Sequence, residues 1–327
     1  MTAGFDIIGD VHGHAELLIT LLKKLGYRED SCWSNPEGRR AVFVGDVIDR
    51  GPFQLETLRI VRGMTERGSA FCVLGNHEYN AVCRRLGKRA LAAKDPHVSF
   101  LEEMARANPL YEETLAWFLT LPMWLDLGEI RVVHACWDPK SMAVIEAEGA
   151  GPRLTKDMVL KAHAKGKRKD ELTPGQKLYD ALETVLKGPE LPLPEVNGRQ
   201  LSFDDKSGTV RTRIRTRWWM KDAGTLRQAA FMAEAGQIPP LPLEDDIFVH
   251  APEKPTFIGH YWMRESMGVA PLAPGLCCLD YSAGRGGPLA AYRWNEGDAG
   301  LAAERFVLAR PAEATGLLEA MKAQVRV

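Results

Sequence analysis

The sequence predicts an α/β fold, and three observations lead to this prediction. Short apolar runs that end in Gly and a polar residue recur in the first half, at FDIIGD (5–10), AVFVGD (41–46) and AFCVLGN (70–76). Segments with apolar residues at helical spacing separate these runs, and strand-like runs return near the end of the chain. Alternating strands and helices build a sheet of βαβ units, which presents polar residues at the carboxyl edge of its parallel strands.

The helices and strands follow one another in a regular order. Helical spacing with a Gly at the stop predicts helices over 14–26 and 53–68, between the first three strands. The helical pattern continues through 79–93 and 98–120. The run IRVVHAC (130–136) then predicts another strand.

The pattern changes after Trp137, where a helix-prone segment with two proline-rich loops begins. We predict that this segment, 138–250, is an insertion or cap within one core rather than a separate domain. The catalytic core would then consist of 1–137 and 251–327. Strand-like runs indicate the return of the core, at PTFIGHYW (255–262), GLCCLDY (275–281) and LAAYRW (289–294).

The composition argues against several classes of protein. Of the 327 residues, 45% are hydrophobic and 26% are charged, with a formal net charge of −1, which gives no overall attraction to nucleic acid or anionic membranes. No apolar run approaches the roughly 18 residues of a membrane span, and the start MTAGFDIIGD lacks a secretory pattern. Six cysteines without CxxC spacing indicate reduced thiols. We therefore predict a cytoplasmic protein without a membrane partner.

Potential metal ligands stand at five predicted strand ends: Asp10 and His12, Asp46, Asn76, His134 and His260. Each such residue taken singly is more often a structural histidine, a turn former or a loop cap. Together they form a set of Asp, His and Asn ligands, which suits Mn, Fe or Zn rather than a thiolate-bound structural zinc. Six ligands are too many for one tetrahedral ion. They suit two ions that share a carboxylate, at the spacing of about 3.5–4 Å found in two-metal sites.

Three motifs in this set resemble a known family. GDVHG (9–13), GDVIDRG (45–51) and GNHE (75–78), followed by His134 and His260, resemble the calcineurin-like metallophosphoesterase superfamily. The likeness is greatest to the branch that holds serine/threonine phosphoprotein phosphatases and bacterial diadenosine tetraphosphatases. The resemblance implies a four-layer α/β/β/α sandwich, here with a largely helical insertion, and two metal ions at the strand ends.

The resemblance also assigns the ligands by position. Asp10, His12 and Asp46 would bind the first ion, and Asp46 would bridge to the second. Asn76, His134 and His260 would complete the second site. Many members have a further histidine where this chain has Trp262, and the phosphoprotein phosphatase branch lacks it too. The ions would be divalent or of mixed valence, with manganese preferred and Fe, Zn, Co or Ni as alternatives.

The remaining motif residues receive catalytic roles from the same resemblance. His77 would protonate the leaving oxygen, and Asp49 would orient and charge its ring. Arg50 would fork onto the phosphate oxygens. A hydroxide bridging the two ions would attack phosphorus, so the predicted activity is hydrolysis of phosphate esters or anhydrides. Glu78 is predicted to hold backbone or a neighbouring side chain near Asn76.

The sequence leaves the substrate open among a small phosphorylated molecule, a nucleotide and a phosphoprotein. Alternating arginines in TVRTRIRTRWWM (209–220) would line one face of a strand, either for binding phosphate or as a solvated face. Arg217 and Arg264 are candidates for a second phosphate contact. Two other functions stay open, a nucleic-acid end phosphatase and a catalytically silent scaffold of the same fold, although nucleic acid is the less favoured partner.

Overall fold

A computed structural model describes residues 4–29, 32–91, 95–105, 110–164, 172–204, 210–220, 222–231, 237–243, 252–314 and 316–317. The strands are β1 (Phe5–Ile8), β2 (Arg28–Glu29), β3 (Trp33–Ser34), β4 (Arg40–Phe43), β5 (Ala70–Cys72), β6 (Trp124–Asp126), β7 (Arg131–Val133), β8 (Glu190–Pro192), β9 (Glu195–Val196), β10 (Arg199–Gln200), β11 (Phe203–Asp204), β12 (Val210–Arg211), β13 (Arg213–Arg215), β14 (Thr256–Ile258), β15 (Leu276–Cys278), β16 (Leu289–Trp294) and β17 (Phe306–Ala309). The α-helices are α1 (Ala15–Lys24), α2 (Gln54–Glu66), α3 (Asn76–Arg85), α4 (Val98–Ala105), α5 (Leu110–Phe118), α6 (Pro139–Glu146), α7 (Lys156–Ala162), α8 (Pro174–Lys187) and α9 (Leu226–Ala229). None of these helices has the length and apolarity that crossing a bilayer requires.

The first large sheet has five strands in the order β17-β16-β1-β4-β5. β1, β4 and β5 run parallel, so their carboxyl ends meet at one edge of the sheet. β16 pairs antiparallel with β1, in a register that places Ile8 opposite Ala291. A strand from the last part of the chain, β16, therefore pairs with the strand that precedes the first motif.

The second large sheet has four strands in the order β15-β14-β7-β6. β7, β14 and β15 are parallel, and β6 is antiparallel at the edge. His134 follows β7 directly, and His260 follows β14 after one glycine. Leu279 and Asp280 follow β15. The predicted ligands are thus divided between two sheets.

The two sheets share one apolar layer, because alternate residues of each strand point to opposite faces. Ile7, Val42, Val132, Phe257 and Cys277 belong to the cluster between the sheets, and all are 0% exposed. The alternate neighbours Ile8, Phe43, Val133, Ile258 and Cys278 belong instead to the larger cluster, which contains the helices. This arrangement confirms the predicted α/β sandwich.

The predicted helices and strands agree well with the observed ones in the core. The predicted helices 14–26 and 53–68 are α1 and α2. The helix predicted over 79–93 is α3, which begins earlier and ends earlier. The helix predicted over 98–120 consists of α4 and α5 on either side of 106–109, which lie outside the described residues.

The insertion has two parts of different character. Its first part holds α6, α7 and α8, and apolar residues of α8 such as Leu182 and Val185 join the core cluster. α8 starts at a capped end, where the Thr173 hydroxyl accepts a hydrogen bond from the Gln176 amide at 3.2 Å. From β8 onward the described residues form antiparallel pairs of two or three residues per strand. The helical pattern therefore holds for the first part, whereas the described residues of the second part contain the single short helix α9.

Candidate metal centre

The strand-end residues converge on Asp46, which follows β4. The Nε2 atom of His134 lies 3.3 Å from Asp46 Oδ1. The Nε2 atoms of His12 and His77 each lie 3.8 Å from Asp46 Oδ2. Both carboxylate oxygens of Asp46 thus face imidazole nitrogens: Oδ1 faces His134, and Oδ2 faces His12 and His77.

Asn76, at the start of α3, brings together the two histidines of the second sheet. Its Oδ1 lies 3.0 Å from His134 Nε2 and 2.6 Å from His260 Nδ1. Asp10 lies beside them and accepts a hydrogen bond from the His260 amide at 3.1 Å. The six predicted ligands are all buried, with at most 7% of any residue exposed.

These side chains fit a pair of metal ions. Two groups of three side chains have ligand atoms within 4.8 Å of one another, and Asp46 belongs to both: His12, Asp46 and His77, and Asp46, His134 and His260. A shared carboxylate between two such groups is the arrangement that a binuclear site needs. By distance alone His77 could also be a ligand, so the division between ligands and acid is a prediction.

The tautomers of two ring systems are set for metal binding. His12 Nδ1 donates to the Ile48 carbonyl at 3.0 Å, and His134 Nδ1 donates to the Val44 carbonyl at 2.7 Å. With Nδ1 as the donor, the neutral form of each ring has its Nε2 lone pair toward the centre, as in protein metal sites generally. Burial and the nearby His77 also lower the pKa of His12 to about 3, which keeps the ring neutral.

Carboxylates crowd the centre, and their charges repel one another. Burial and the neighbouring Asp280 and Asp46 raise the pKa of Asp10 well above its ordinary value. Burial and Asp46 likewise raise the pKa of Glu78 to about 7. Acidic groups packed in this way are stabilised by bound cations, because opposite charges nearby favour the ionised form.

The backbone of the site is unusual. Seven non-glycine residues of the described chain have a positive φ. Five of them are predicted site residues: His12 (50°), Asp46 (51°), Asp49 (75°), Arg50 (70°) and His260 (63°). Such backbone conformations are unfavourable for residues with a Cβ and concentrate at functional sites. Close approach also explains Gly259, where a Cβ would collide with Asp10 Oδ1.

Glu78 joins the second motif to the third, which confirms the prediction that it holds backbone near Asn76. One of its oxygens accepts from the amides of Val47 at 2.9 Å and Ile48 at 3.2 Å. The other accepts from the Asp46 amide at 2.9 Å and the Gly75 amide at 3.0 Å. A single carboxylate therefore fixes the turn that carries Asp46.

His77 and Asp49, predicted as the acid and its partner, are in direct contact. His77 Nδ1 lies 2.5 Å from Asp49 Oδ2. Burial alone would lower the pKa of His77, but the charges of Asp46 and Asp49 raise it above its ordinary value. Burial would raise the pKa of Asp49, but His77 and a second imidazole, His97, lower it. Each group of the pair thus favours the charged form of the other.

Arg50 reaches the edge of the centre. Its buried Nε has no hydrogen-bond partner among the described residues, and its guanidinium lies 5.6 Å from the centre of the Trp262 ring. Arg285 stacks on the same indole at 3.2 Å. An arginine with a free donor beside a buried metal centre suits phosphate recognition.

The arginine ladder is exposed at Arg211 and Arg213 and half-buried at Arg215 and Arg217. Arg213 and Arg215 alternate with the buried Ile214, as the strand pattern predicts. Arg215 is close enough to the centre that its charge, after burial, lowers the pKa of His260. Thr209, the first residue of the ladder segment, lies outside the described residues.

Arg217 and Arg264, the two predicted substrate contacts, line one cavity of about 630 Å³ with Trp219, Phe231 and Trp262. Trp219 and Phe231 each pack edge to face against Tyr261, with 4.8 Å between ring centroids. Arg217 is partly engaged, because its Nε donates to the Ala230 carbonyl at 2.9 Å. Trp262 connects this cavity to Arg50.

Two further residues of the site were not predicted from the sequence. Asp280 is 1% exposed, follows β15, and has one oxygen without a partner among the described residues. It ends an apolar run as the predicted ligands do, so the same pattern could have identified it. His97 precedes α4 in a segment without a strand-like run, and no sequence signal marks it.

Known proteins resemble the first part of the chain. Residues 4–142 match the calcineurin-like phosphoesterase family. The asymmetrical bis(5′-nucleosyl)-tetraphosphatase PrpE of Halalkalibacterium halodurans is 41% identical over 111 residues, which cover 33% of this chain and 43% of that protein. The symmetrical bis(5′-nucleosyl)-tetraphosphatase of Methylococcus capsulatus is 35% identical over 128 residues, covering 39% of this chain and 41% of that protein. The chain thus matches less than half the length of these two relatives.

Among solved structures, the cold-active protein-tyrosine phosphatase of a psychrophilic Shewanella aligns with 95% of this chain and 81% of its own. The identity is 17% and the TM-score 0.49. At this score the alignment supports no conclusion about substrate.

Proposed function

We propose that the protein is a metal-dependent hydrolase of phosphate esters or anhydrides, starting from the match of residues 4–142 to the calcineurin-like phosphoesterase family. The observation that carries the proposal is the convergence of side chains remote in sequence on Asp46, whose carboxylate is shared by two groups of possible ligands. Asn76 and Asp10 adjoin these groups through His134 and His260. The proposed ligands are those assigned by the motifs: Asp10, His12, Asp46, Asn76, His134 and His260.

Two divalent ions at this centre would lower the pKa of a coordinated water toward neutrality and offset the charge of the phosphoryl group. Manganese is the proposed ion, with Fe, Zn, Co or Ni as alternatives, because the ligands are oxygen and imidazole nitrogen. The protein's own residues do the remaining work. Arg50 binds the non-bridging phosphate oxygens through its fork of donors.

His77 donates the proton to the departing oxygen in this proposal. Its Nδ1 is held by Asp49, so the opposite nitrogen, Nε2, points toward the centre. A positioned acid of this kind typically contributes about 10²–10⁴ in rate. The overall reaction adds water across the P–O bond, so the phosphoryl group gains a hydroxyl and the leaving oxygen gains a proton.

We propose dinucleoside polyphosphates as the substrate class. The names of the relatives above support this choice, and so does the aromatic cavity next to Arg50. A cavity of about 630 Å³ falls in the usual range of about 300–1,000 Å³ for small-ligand sites. Indole and phenyl rings suit stacking on a nucleobase, and Arg217 and Arg264 at the cavity suit a second phosphate.

A substrate comparison with manganese-loaded protein tests this function. Diadenosine tetraphosphate, p-nitrophenyl phosphate and a phosphopeptide should all be assayed, with nucleotide products separated by chromatography. We expect the dinucleotide to have the highest kcat/KM and chelated protein to be inactive. Preference for the phosphopeptide would overturn the substrate class. No turnover of any compound with Mn, Fe or Co supplied would instead favour a scaffold.

A further inference from the structure

A second imidazole contacts the proposed acid pair. His97 is 0% exposed, and its Nδ1 lies 2.7 Å from Asp49 Oδ1. The other oxygen of Asp49 contacts His77 Nδ1 at 2.5 Å. One buried carboxylate therefore bridges two imidazoles, one facing the metal centre and one facing away from it.

The protons of this group can be assigned from its chemistry. An ionised carboxylate only accepts hydrogen bonds, so each Nδ1 that contacts Asp49 must donate. His97 Nε2 is buried and has no partner among the described residues. His97 therefore contacts Asp49 through Nδ1 alone, whereas His77 has its Nε2 toward Asp46, where substrate would enter.

The segment around His97 is built to hold this ring in place. Its amide donates to Asp95 Oδ1 at 3.0 Å, and Asp95 also pairs with Arg84. The imidazole packs against Phe100, with 5.0 Å between ring centroids. A ring fixed on both its backbone and its face has one orientation, which is what a positioning group requires.

The same segment also supports Arg50, the proposed phosphate contact. The Arg50 amide donates to the Pro96 carbonyl at 3.1 Å. Asp49 and Arg50 both have positive φ values, of 75° and 70°, so their backbone needs support from elsewhere. Pro96 supports the backbone of Arg50, and His97 supports the side chain of Asp49.

We propose that His97 is a positioning residue of the acid. It holds Oδ1 of Asp49 so that the other oxygen, Oδ2, stays aligned on His77 Nδ1. This contact fixes the orientation of the His77 ring. The role rests on the proposed function, because it matters only if His77 protonates a leaving group. His97 itself touches neither the substrate nor the metal ligands in this role.

Leaving-group dependence separates this role from a purely structural one. Phenyl phosphate has a poor leaving group that needs the proton, whereas p-nitrophenyl phosphate has a good one that needs it little. His97→Leu should lower kcat for phenyl phosphate by about tenfold or more, as expected for partial loss of an acid worth about 10²–10⁴. The effect on p-nitrophenyl phosphate should be at most about threefold, and KM should change little for either.

A conservative variant serves as the rescue. The side-chain nitrogen of Asn is bonded to Cγ, as Nδ1 of His is, so His97→Asn keeps a donor within reach of Asp49. It should recover most of the phenyl phosphate activity. His163→Leu is a matched control, because His163 contacts Tyr79 and Cys83 but not the acid pair. Any change in kcat that it causes should be the same for phenyl phosphate and p-nitrophenyl phosphate.

A spectroscopic measurement tests the contact without turnover. In zinc-loaded enzyme labelled with ¹⁵N-histidine, the proton on His77 Nδ1 that is hydrogen-bonded to Asp49 should resonate far downfield. Its absence from the spectrum of His77→Ala assigns the signal to His77. His97→Leu should shift this signal, and His97→Asn should shift it less. Metal content and thermal unfolding establish that each variant is folded and loaded.

The outcomes are distinct. An unchanged His77 signal in His97→Leu overturns the positioning role, whatever the activity. Equal losses for both esters, or His97→Asn as impaired as His97→Leu, also overturn it. If the wild-type enzyme hydrolyses no phosphate compound, the proposed function fails, and the role of His97 in protonation fails with it.

Discussion

The core and the insertion place their polar residues in different surroundings. In the core, the predicted ligands follow strands of two packed sheets, and each is at most 7% exposed. In the later part of the insertion, strands of two or three residues surround a small apolar cluster that includes Leu191, Ile214 and Ile238. The arginines there stand on an exposed or half-exposed edge.

Under the proposed function, this difference suits a division of labour between the two regions. Groups at the ends of buried strands are held to a fixed geometry, which metal binding and phosphoryl transfer require. Short strand pairs have little packing to hold them and are marginal by themselves. They suit residues that line a substrate-binding surface, because contacts with substrate can change without disturbing the metal ligands and the acid.

The largest expected effect comes from breaking the centre of the core. Asp46→Ala removes the carboxylate shared by both ligand groups, so metal content should fall to near zero, with activity. His77→Ala should keep both metals and lose about 10²–10⁴ in kcat. Elemental analysis and steady-state kinetics of the two variants check this. Similar metal loss in both would mean that His77 is a ligand rather than the acid.

A smaller effect is expected on stability, and it contrasts an ion pair in each region. Arg39 is 5% exposed and pairs with the buried Asp6 at 2.9 Å in the core. Arg39→Met should lower the free energy of unfolding by about 3 kcal/mol, the low end for a broken buried pair, because Arg293 still contacts Asp6 at 3.0 Å.

The matched change in the insertion is Lys161→Met, which breaks the exposed pair of Lys161 with Glu148 at 2.6 Å. It should change the free energy of unfolding by about 0–1 kcal/mol. Urea unfolding of both variants measures the contrast. Equal losses would show that the insertion depends on its charges as much as the core does.

The smallest expected effect concerns substrate selection by the insertion. Trp219→Ala removes one aromatic wall of the cavity, and stacking on a base is worth about 1–3 kcal/mol. KM for diadenosine tetraphosphate should rise about tenfold, while kcat for p-nitrophenyl phosphate stays within about twofold. Equal effects on both substrates would place the cavity outside the substrate path and remove the support for a nucleotide there.

Much of the core was predictable from the sequence because its signals are local. A run such as AVFV followed by Gly and Asp indicates a buried strand with a carboxylate at its end, and β4 with Asp46 has that structure. The helices α1 and α2 follow from apolar spacing and a Gly stop. Six site residues could be identified because their types and their places after strands combine into one pattern.

The insertion was less predictable, and the reason is physical. Strands of two residues are too short to show an alternation of apolar and polar residues that distinguishes them from a loop. The strands β9 to β12 therefore left no clear signal. The segment 138–250 was expected to be largely helical. This holds for the part with α6 to α8, whereas the described residues after β8 include one short helix, α9. The domain division and the roles of the individual site residues stay predictions, which the variants above test.

Residue types at strand ends, and hence the kind of chemistry this protein can support, were readable from the chain alone, because burial and turn formation act over a few neighbouring residues. The contacts of Asp49 with His97, 48 residues away, and of Asp10 with His260, 250 residues away, depend on how two sheets pack. No local pattern encodes such pairings, because side chains remote in sequence meet only through the path of the whole chain. The tertiary structure therefore decided which imidazole contacts which carboxylate.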